Sequence, residues 1–345
     1  MLCLVYVHGF NLDPPYAQPW TLMREPLTFD AWLQFFLANG VLRFRIPLLF
    51  AISGYLFAWH DGVKPYEQQL RKRWRTLGIP YLLWTGLWWL VAQAMKYSVT
   101  HKFPNITLAS LAAMQPVDLI LGILQPVPYQ LWFLRSLLVY ALVYPWLRAA
   151  ILRVPLLYFS VAGLLWFFMV PLWPVAEGDG LLFFGLGIWL AFRNQDLAVP
   201  PGWYRPLLFG LVWIGAAAVK TSLAFGSGAL VPASMLVLHK IGEVTGLLTA
   251  WFCFDGLVRW SMARGWFRWL TRFSFMIYVL HVPAVSYVND LFLHHVTSYS
   301  HGRLAVYIVA PLLVAVGSVA LGAALRRAMP GIYAMLTGGR GLATS

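Results

Sequence analysis

The chain has 345 residues, 60% of them hydrophobic and 11% charged, with a mean hydropathy of +0.69. A soluble domain averages roughly 25% charged residues, so this composition excludes a soluble globular chain and points to a polytopic membrane protein. The net charge of +13 is not read as a nucleic-acid footprint until it has been located along the chain. Cys3 and Cys253 both lie in apolar runs and imply neither a disulfide framework nor a metal site.

Residues 1–10 are apolar but too short to span, rising about 15 Å against a hydrocarbon core of about 30 Å. They read as the outer half of a first helix whose beginning is missing. Residues 11–30, with Pro14, Pro15 and Pro19, form a loop. The second crossing is predicted at 31–59, and residues 60–75 are the most basic loop. Further crossings are predicted at 74–97, 130–147, 156–173, 181–192, 206–223, 231–257, 273–292 and 304–325, with a short helix at 116–126 outside or re-entering the core. The expected fold is thus one all-α domain over 1–345, a membrane helix bundle of about ten transmembrane helices with the first one truncated.

The location of the charge orients the bundle. Loops on one side, with the C-terminal tail, hold sixteen of the twenty-five basic residues, from Lys64, Arg71, Lys72, Arg73 and Arg75 to Arg340. The opposite loops carry Arg24, Lys102 and Arg303 among Asp13, Glu25, Asp30, Glu177 and Asp179. The positive-inside rule then places both termini in the cytoplasm. The basic balance becomes a topology signal, with no nucleic acid implied.

A few polar residues remain at membrane depth, where ionisable groups mark function by default. Arg43 and Arg45 stand about 200° apart on a regular helix, so one faces the interior while the other snorkels, or the helix is broken. Pro47 removes the backbone bond to Arg43 and favours a kink. His8, before the first exit loop, is either a base near neutral pH or an interfacial residue. His239, Lys240 and Glu243 are spaced three and four apart, so both basic groups can meet the carboxylate on one helix face. That cluster reads either as a neutralised ion pair or as a carboxylate serving an imidazole of a neighbouring helix. Arg135 is an anchor or a cavity residue. Ser274, Tyr278 and His281 recur at i, i+4 and i+7 as a polar stripe that faces protein or water. His294, His295 and His301 have weak metal spacing, and no metal is expected. Asn105-Ile106-Thr107 is a glycosylation sequon in an outer loop. No glycine-rich phosphate loop, HExxH or GxSxG is present.

Together these segments resemble the acyltransferase-3 family of integral membrane acyltransferases, in the family's order and over the whole chain. The run Arg43-x-x-Ile46-Pro47-Leu48-Leu49-Phe50-x-Ile52-Ser53-Gly54-Tyr55-Leu56 resembles the second-helix motif R-x-x-V-P-L-F-F-x-I-S-G-Y-L. His8 resembles the histidine of the first helix, and Arg73-x-Arg75-x-Leu77-x-Ile79-Pro80-Tyr81-Leu82-Leu83-Trp84 the basic start of the third. Leu131-Trp132-Phe133-Leu134 and Ser274-Phe275-x-Ile277-Tyr278-x-Leu280-His281 resemble later landmarks. Two departures are that the R-x-x-R segment usually preceding the histidine is missing, and that Gln130 stands where the family commonly has histidine.

The resemblance implies a ten-helix bundle that moves an acyl group from cytosolic acyl-CoA, acetyl-CoA in the simplest case, to a hydroxyl of a cell-surface glycan. His8 is the expected general base, with Arg43 and Glu243 completing a catalytic set. Arg45, Arg135, Trp132, His239, Lys240, Tyr278 and His281 are expected to contact substrate, and Arg71, Arg73 and Arg75 the CoA phosphates. The expected setting is a bacterial inner membrane. The alternative is a transporter or flippase for a glycan intermediate, its buried charges lining a conduit, although no inverted repeat is apparent.

Overall fold

A computed structural model describes residues 1–14, 18–61, 65–100, 129–172, 176–193, 204–296 and 299–342. Lys64, Lys102, the sequon at 105–107 and the short helix expected at 116–126 lie outside the described residues. The protein is an all-α membrane helix bundle. Each expected crossing coincides with a helix or a bent helix pair, from Leu2–His8 to Gly302–Ala328. Spanning needs about 20 apolar residues. By length and composition, four helices among the described residues meet that need: Phe29–Ala58, Pro206–Ala224, Ser274–Val296 and Gly302–Ala328. The number rises to six if the pairs Tyr129–Leu142 with Tyr144–Arg153, bent by 68°, and Val231–Cys253 with Asp255–Met262, bent by 54°, each count as one span. Pro155–Phe167 and Gly178–Phe192 are shorter apolar helices, of 13 and 15 residues. A small antiparallel hairpin, Pro171–Leu172 with Ala176–Glu177, joins them and was not foreseen.

The chain divides into two compact units, Met1–Ile52 with Arg193–Ala324, and Ser53–Phe192 with Leu325–Ser345. In the first unit, Tyr204–Ala224 and Val231–Cys253 pack along their lengths, and Leu2–His8 lies on Ser274–Val296. The second predicted crossing enters this unit as an interrupted helix. An α-helical start, Phe29–Phe35, widens into a π-helical turn at Phe36–Gly40, tightens into a 3-10 turn at Val41–Phe44, and resumes as Arg45–Ala58. The break therefore falls at Gly40, with φ −101° and ψ −89°, and not at Pro47. Pro47 occupies the first turn of Arg45–Ala58, where its missing N–H has no intrahelical partner to lose. Gly40 also lies so close to Ala217 that an added Cβ would stand 3.0 Å from the alanine Cβ.

In the second unit, two tyrosine hydroxyls tie helices to backbone carbonyls of neighbouring elements. The Tyr140 hydroxyl donates to the Glu177 carbonyl at 2.8 Å and the Tyr158 hydroxyl to that of Leu181 at 2.7 Å. The final helix, Pro330–Thr337, docks on Ile79–Thr100, where the Trp84 indole donates to the Leu336 carbonyl at 2.9 Å.

Candidate active site

Within the first unit the polar residues form two groups. The first is a histidine pair at the end of Leu2–His8. The rings of His8 and His281 are 5.3 Å apart between centroids and tilted by 51°. His281 is fully buried, and its Nδ1 lies 2.6 Å from the Tyr278 carbonyl oxygen. A carbonyl can only accept, so Nδ1 carries the proton and Nε2 keeps a lone pair in the neutral ring. Among the described residues no group bonds that Nε2. Asn289, two turns further along the same helix, donates to the Gly9 carbonyl at 3.0 Å and holds the end of the first helix in place. The expected stripe is thus present at Tyr278 and His281, both buried, while the Ser274 hydroxyl turns back to the Thr271 carbonyl.

The second group is a chain of buried charges centred on Lys220. This ammonium is 1% exposed and donates to the Asn39 carbonyl at 2.6 Å, with the Asn39 Oδ1 at 3.4 Å and the His239 Nδ1 at 3.3 Å. Because an ammonium only donates, His239 accepts at Nδ1 and its Nε2–H points to the Glu243 Oε1 at 3.2 Å. The other carboxylate oxygen takes the Lys240 ammonium at 3.1 Å. His239, Lys240 and Glu243 are 5%, 3% and 4% exposed, so the cluster is buried in a low-dielectric interior and its bonds are correspondingly strong. Both expected pairs on this helix exist, and the imidazole that Glu243 serves belongs to its own helix.

Arg43 and Arg45 lie in the interrupted segment next to both groups, and both guanidiniums act electrostatically on His8 and His239. The π and 3-10 turns resolve the 200° problem, since the two arginines sit on opposite sides of a change in helix type. Arg45 is buried and donates to the Leu42 carbonyl at 2.7 Å, a bond that an uninterrupted helix would give to a backbone N–H.

The second unit holds the remaining candidates. Arg135 is buried in the first turns of Trp132–Leu142 and faces Glu177 at 4.0 Å, while Trp132 is half-buried with its ring on Phe133. Burial and the neighbouring Asp179 push the Glu177 carboxyl up from its usual range, against the pull of Arg135. Among the basic residues, Arg71 and Arg75 are exposed, and Arg73 lies over the Phe57 ring at 5.3 Å. Arg340 donates to the Thr76 carbonyl at 2.6 Å and joins this cationic face, and burial beside Arg73 pushes it down to about 10. Arg148 is instead committed to Asp61 at 2.6 Å.

Sequence reasoning missed Lys220 and Asn39. The signal for Lys220 was available, as a lone lysine within the apolar crossing at 206–223, and the rule that flagged Arg43 applies equally to it. Among the described residues no group of three or more His, Cys, Asp or Glu is placed to hold a metal ion, and His301 pairs with Asp30 at 2.7 Å.

Apolar helices enclosing a histidine pair and a buried cluster of charged groups define an integral membrane protein. The chain belongs to the acyltransferase-3 family, whose model, described as an acyltransferase domain, matches residues 1–327, and it is accordingly an acyltransferase. It is similar to the succinoglycan biosynthesis protein ExoH of Rhizobium meliloti (strain 1021), with 25% identity over 355 residues, 98% of this chain and 89% of that protein. No solved structure matches it.

Proposed function

We propose that the protein moves an acyl group, most simply acetyl, from a cytosolic acyl-CoA to a hydroxyl of a cell-surface polysaccharide. Its setting in this proposal is the bacterial inner membrane, with both termini in the cytoplasm. The observation that carries the reading is the His8–His281 pair beside two intramembrane arginines. His8 takes the proton of the acceptor hydroxyl as its oxygen attacks the thioester carbonyl. The C–S bond breaks as the C–O bond forms, and CoA leaves as the thiolate. A positioned base of this kind is worth about 10²–10⁴ in rate. Arg43, held by the irregular turns, offers fixed positive charge to the oxyanion, and Arg45 supports the same region. Glu243, with His239 and Lys240, keeps the surrounding charge balanced. In the second unit, Arg71, Arg73 and Arg75 are the proposed partners of the CoA phosphates, and Arg135 and Trp132 are proposed substrate contacts. The name of the similar Rhizobium protein, a succinoglycan biosynthesis protein, supports an acceptor of the polysaccharide class. His8→Ala should lower acyl transfer at least 100-fold, from the range given for general bases, while expression and thermal stability stay unchanged. Undiminished transfer would remove His8 from the mechanism.

A further inference from the structure

The second crossing is the most irregular element of the first unit, and the helix Tyr204–Ala224 grips it along the irregular part. The Trp32 indole donates to the Ser222 hydroxyl at 3.2 Å, the Lys220 ammonium donates to the Asn39 carbonyl at 2.6 Å, and the Phe44 ring meets that of Trp213 edge-on at 5.2 Å. Ala217, which Gly40 approaches, is three residues before Lys220 and so on the same helix face. The joint Asn39–Gly40 is thus held by one ionic and one steric contact from a single helix. Arg43 follows within one turn, between Gly40 and Phe44.

Irregular turns of this kind concentrate at functional sites, and helices bend where a side chain enters the backbone ladder, as Lys220 does here. The choice of a lysine needs a cause. A hydroxyl or an amide could also donate to the Asn39 carbonyl, whereas a buried ammonium carries a heavy desolvation cost. The charge has a second effect. Lys220 and Arg43 act on each other electrostatically, and Arg43 acts on His8. Like charges repel strongly in a low-dielectric interior, so the ammonium disfavours any turn of the guanidinium toward Tyr204–Ala224. The His239 ring, itself bonded to Glu243, fixes the ammonium from the next helix, and the first helix, Leu2–His8, packs against both irregular turns.

We infer that Lys220 is a positioning residue for acyl transfer: its ammonium clamps the joint of the interrupted helix and so sets where the Arg43 guanidinium stands relative to His8. Lys220 itself touches no reacting atom in this account and acts through Arg43. The inference rests on the proposed role of Arg43 at the oxyanion. Fixed charge of that kind works only when it is held in place before the reaction, which is what the clamp supplies.

The test uses the purified full chain, with labelled acetyl-CoA as donor and cellotetraose as the glycan probe, each variant assayed well below its thermal midpoint. Two variants disturb the joint by different means. Lys220→Met removes the charge, and Gly40→Ala places a Cβ 3.0 Å from that of Ala217. Each should lower kcat about tenfold, within the roughly 100-fold that a 1 Å misplacement costs, and leave the KM for acetyl-CoA within about twofold. In the Arg43→Ala background neither should lower kcat by more than about twofold, because the group being positioned is gone. Amides of residues 36–44 should also exchange hydrogen about tenfold faster in Lys220→Met, with those of Ser274–Val296 unchanged. Should Lys220→Met fail to fold, Gly40→Ala and its double variant with Arg43→Ala decide by the same criterion. Losses that multiply in full with that of Arg43→Ala, undiminished kcat in Arg43→Ala itself, or unchanged exchange at 36–44 would overturn the positioning role and leave acyl transfer standing. A wild type that transfers label to neither this probe nor any other glycan overturns the proposed function, and the positioning role with it.

Discussion

Lys220→Met removes the ammonium that joins the broken second crossing to the helix Val231–Cys253, while keeping most of the stem's volume. The Asn39 carbonyl loses a 2.6 Å charge-assisted bond and the His239 Nδ1 loses its 3.3 Å donor. Hydrogen bonds to charged groups are worth about 1.5–3 kcal/mol, and removing one partner from a buried ionic network costs about 3–5 kcal/mol. The desolvation of the ammonium itself, no longer borne, offsets part of this, so we expect a loss of about 3 kcal/mol. It should appear as a drop of several degrees in the thermal midpoint of the detergent-purified protein. Lys240→Met should cost less, since Glu243 keeps His239 as a partner at 3.2 Å. Combining Lys220→Met with His239→Gln should give a coupling energy of about 0.5–3 kcal/mol, as expected of residues sharing one network. A neutral or stabilised Lys220→Met variant, or strict additivity in the double variant, would refute the cluster as a connected network.

Two predictions concern the second unit. Glu177 holds its proton more tightly in the folded protein than the ordinary carboxyl value of 4.5, so stability should fall as pH rises from that value through the folded one. Glu177→Gln should flatten this decline, which thermal midpoints between about pH 4 and 7 would show, and an unchanged pH profile would contradict the cause given. Gly338 has φ +63°, and an added Cβ would stand 2.5 Å from the Thr76 carbonyl oxygen. Gly338→Ala should therefore cost at least about 1–2 kcal/mol and loosen the docking of Pro330–Thr337, read as faster hydrogen exchange there; unaltered exchange would show that the docking does not depend on this turn.

Much of the architecture is legible in the sequence because the bilayer enforces it. Long apolar runs admit little besides helices, and all the expected crossings coincide with helical segments. The pairing of Glu243 with His239 and Lys240 follows from spacing alone. The irregularity of the second crossing was expected at the wrong residue. Pro47 is the louder signal, but a proline in the first turn is harmless, and the break is set instead by Gly40 against Ala217, a long-range contact that no local pattern reveals. The hairpin between the two short helices escaped because two-residue strands have no periodicity. The proximity of His8 to His281 joins opposite ends of the chain, and only packing brings them together.

The central claim is that acyl groups pass from CoA to a glycan through this protein. The most direct measurement reconstitutes the purified chain in proteoliposomes with acetyl-CoA labelled in the acetyl group and a polysaccharide acceptor. Label should appear on the glycan as an alkali-labile ester, in proportion to the CoA thiol released. CoA-independent movement of the glycan across the bilayer, with no label transferred, would contradict the account and favour a conduit.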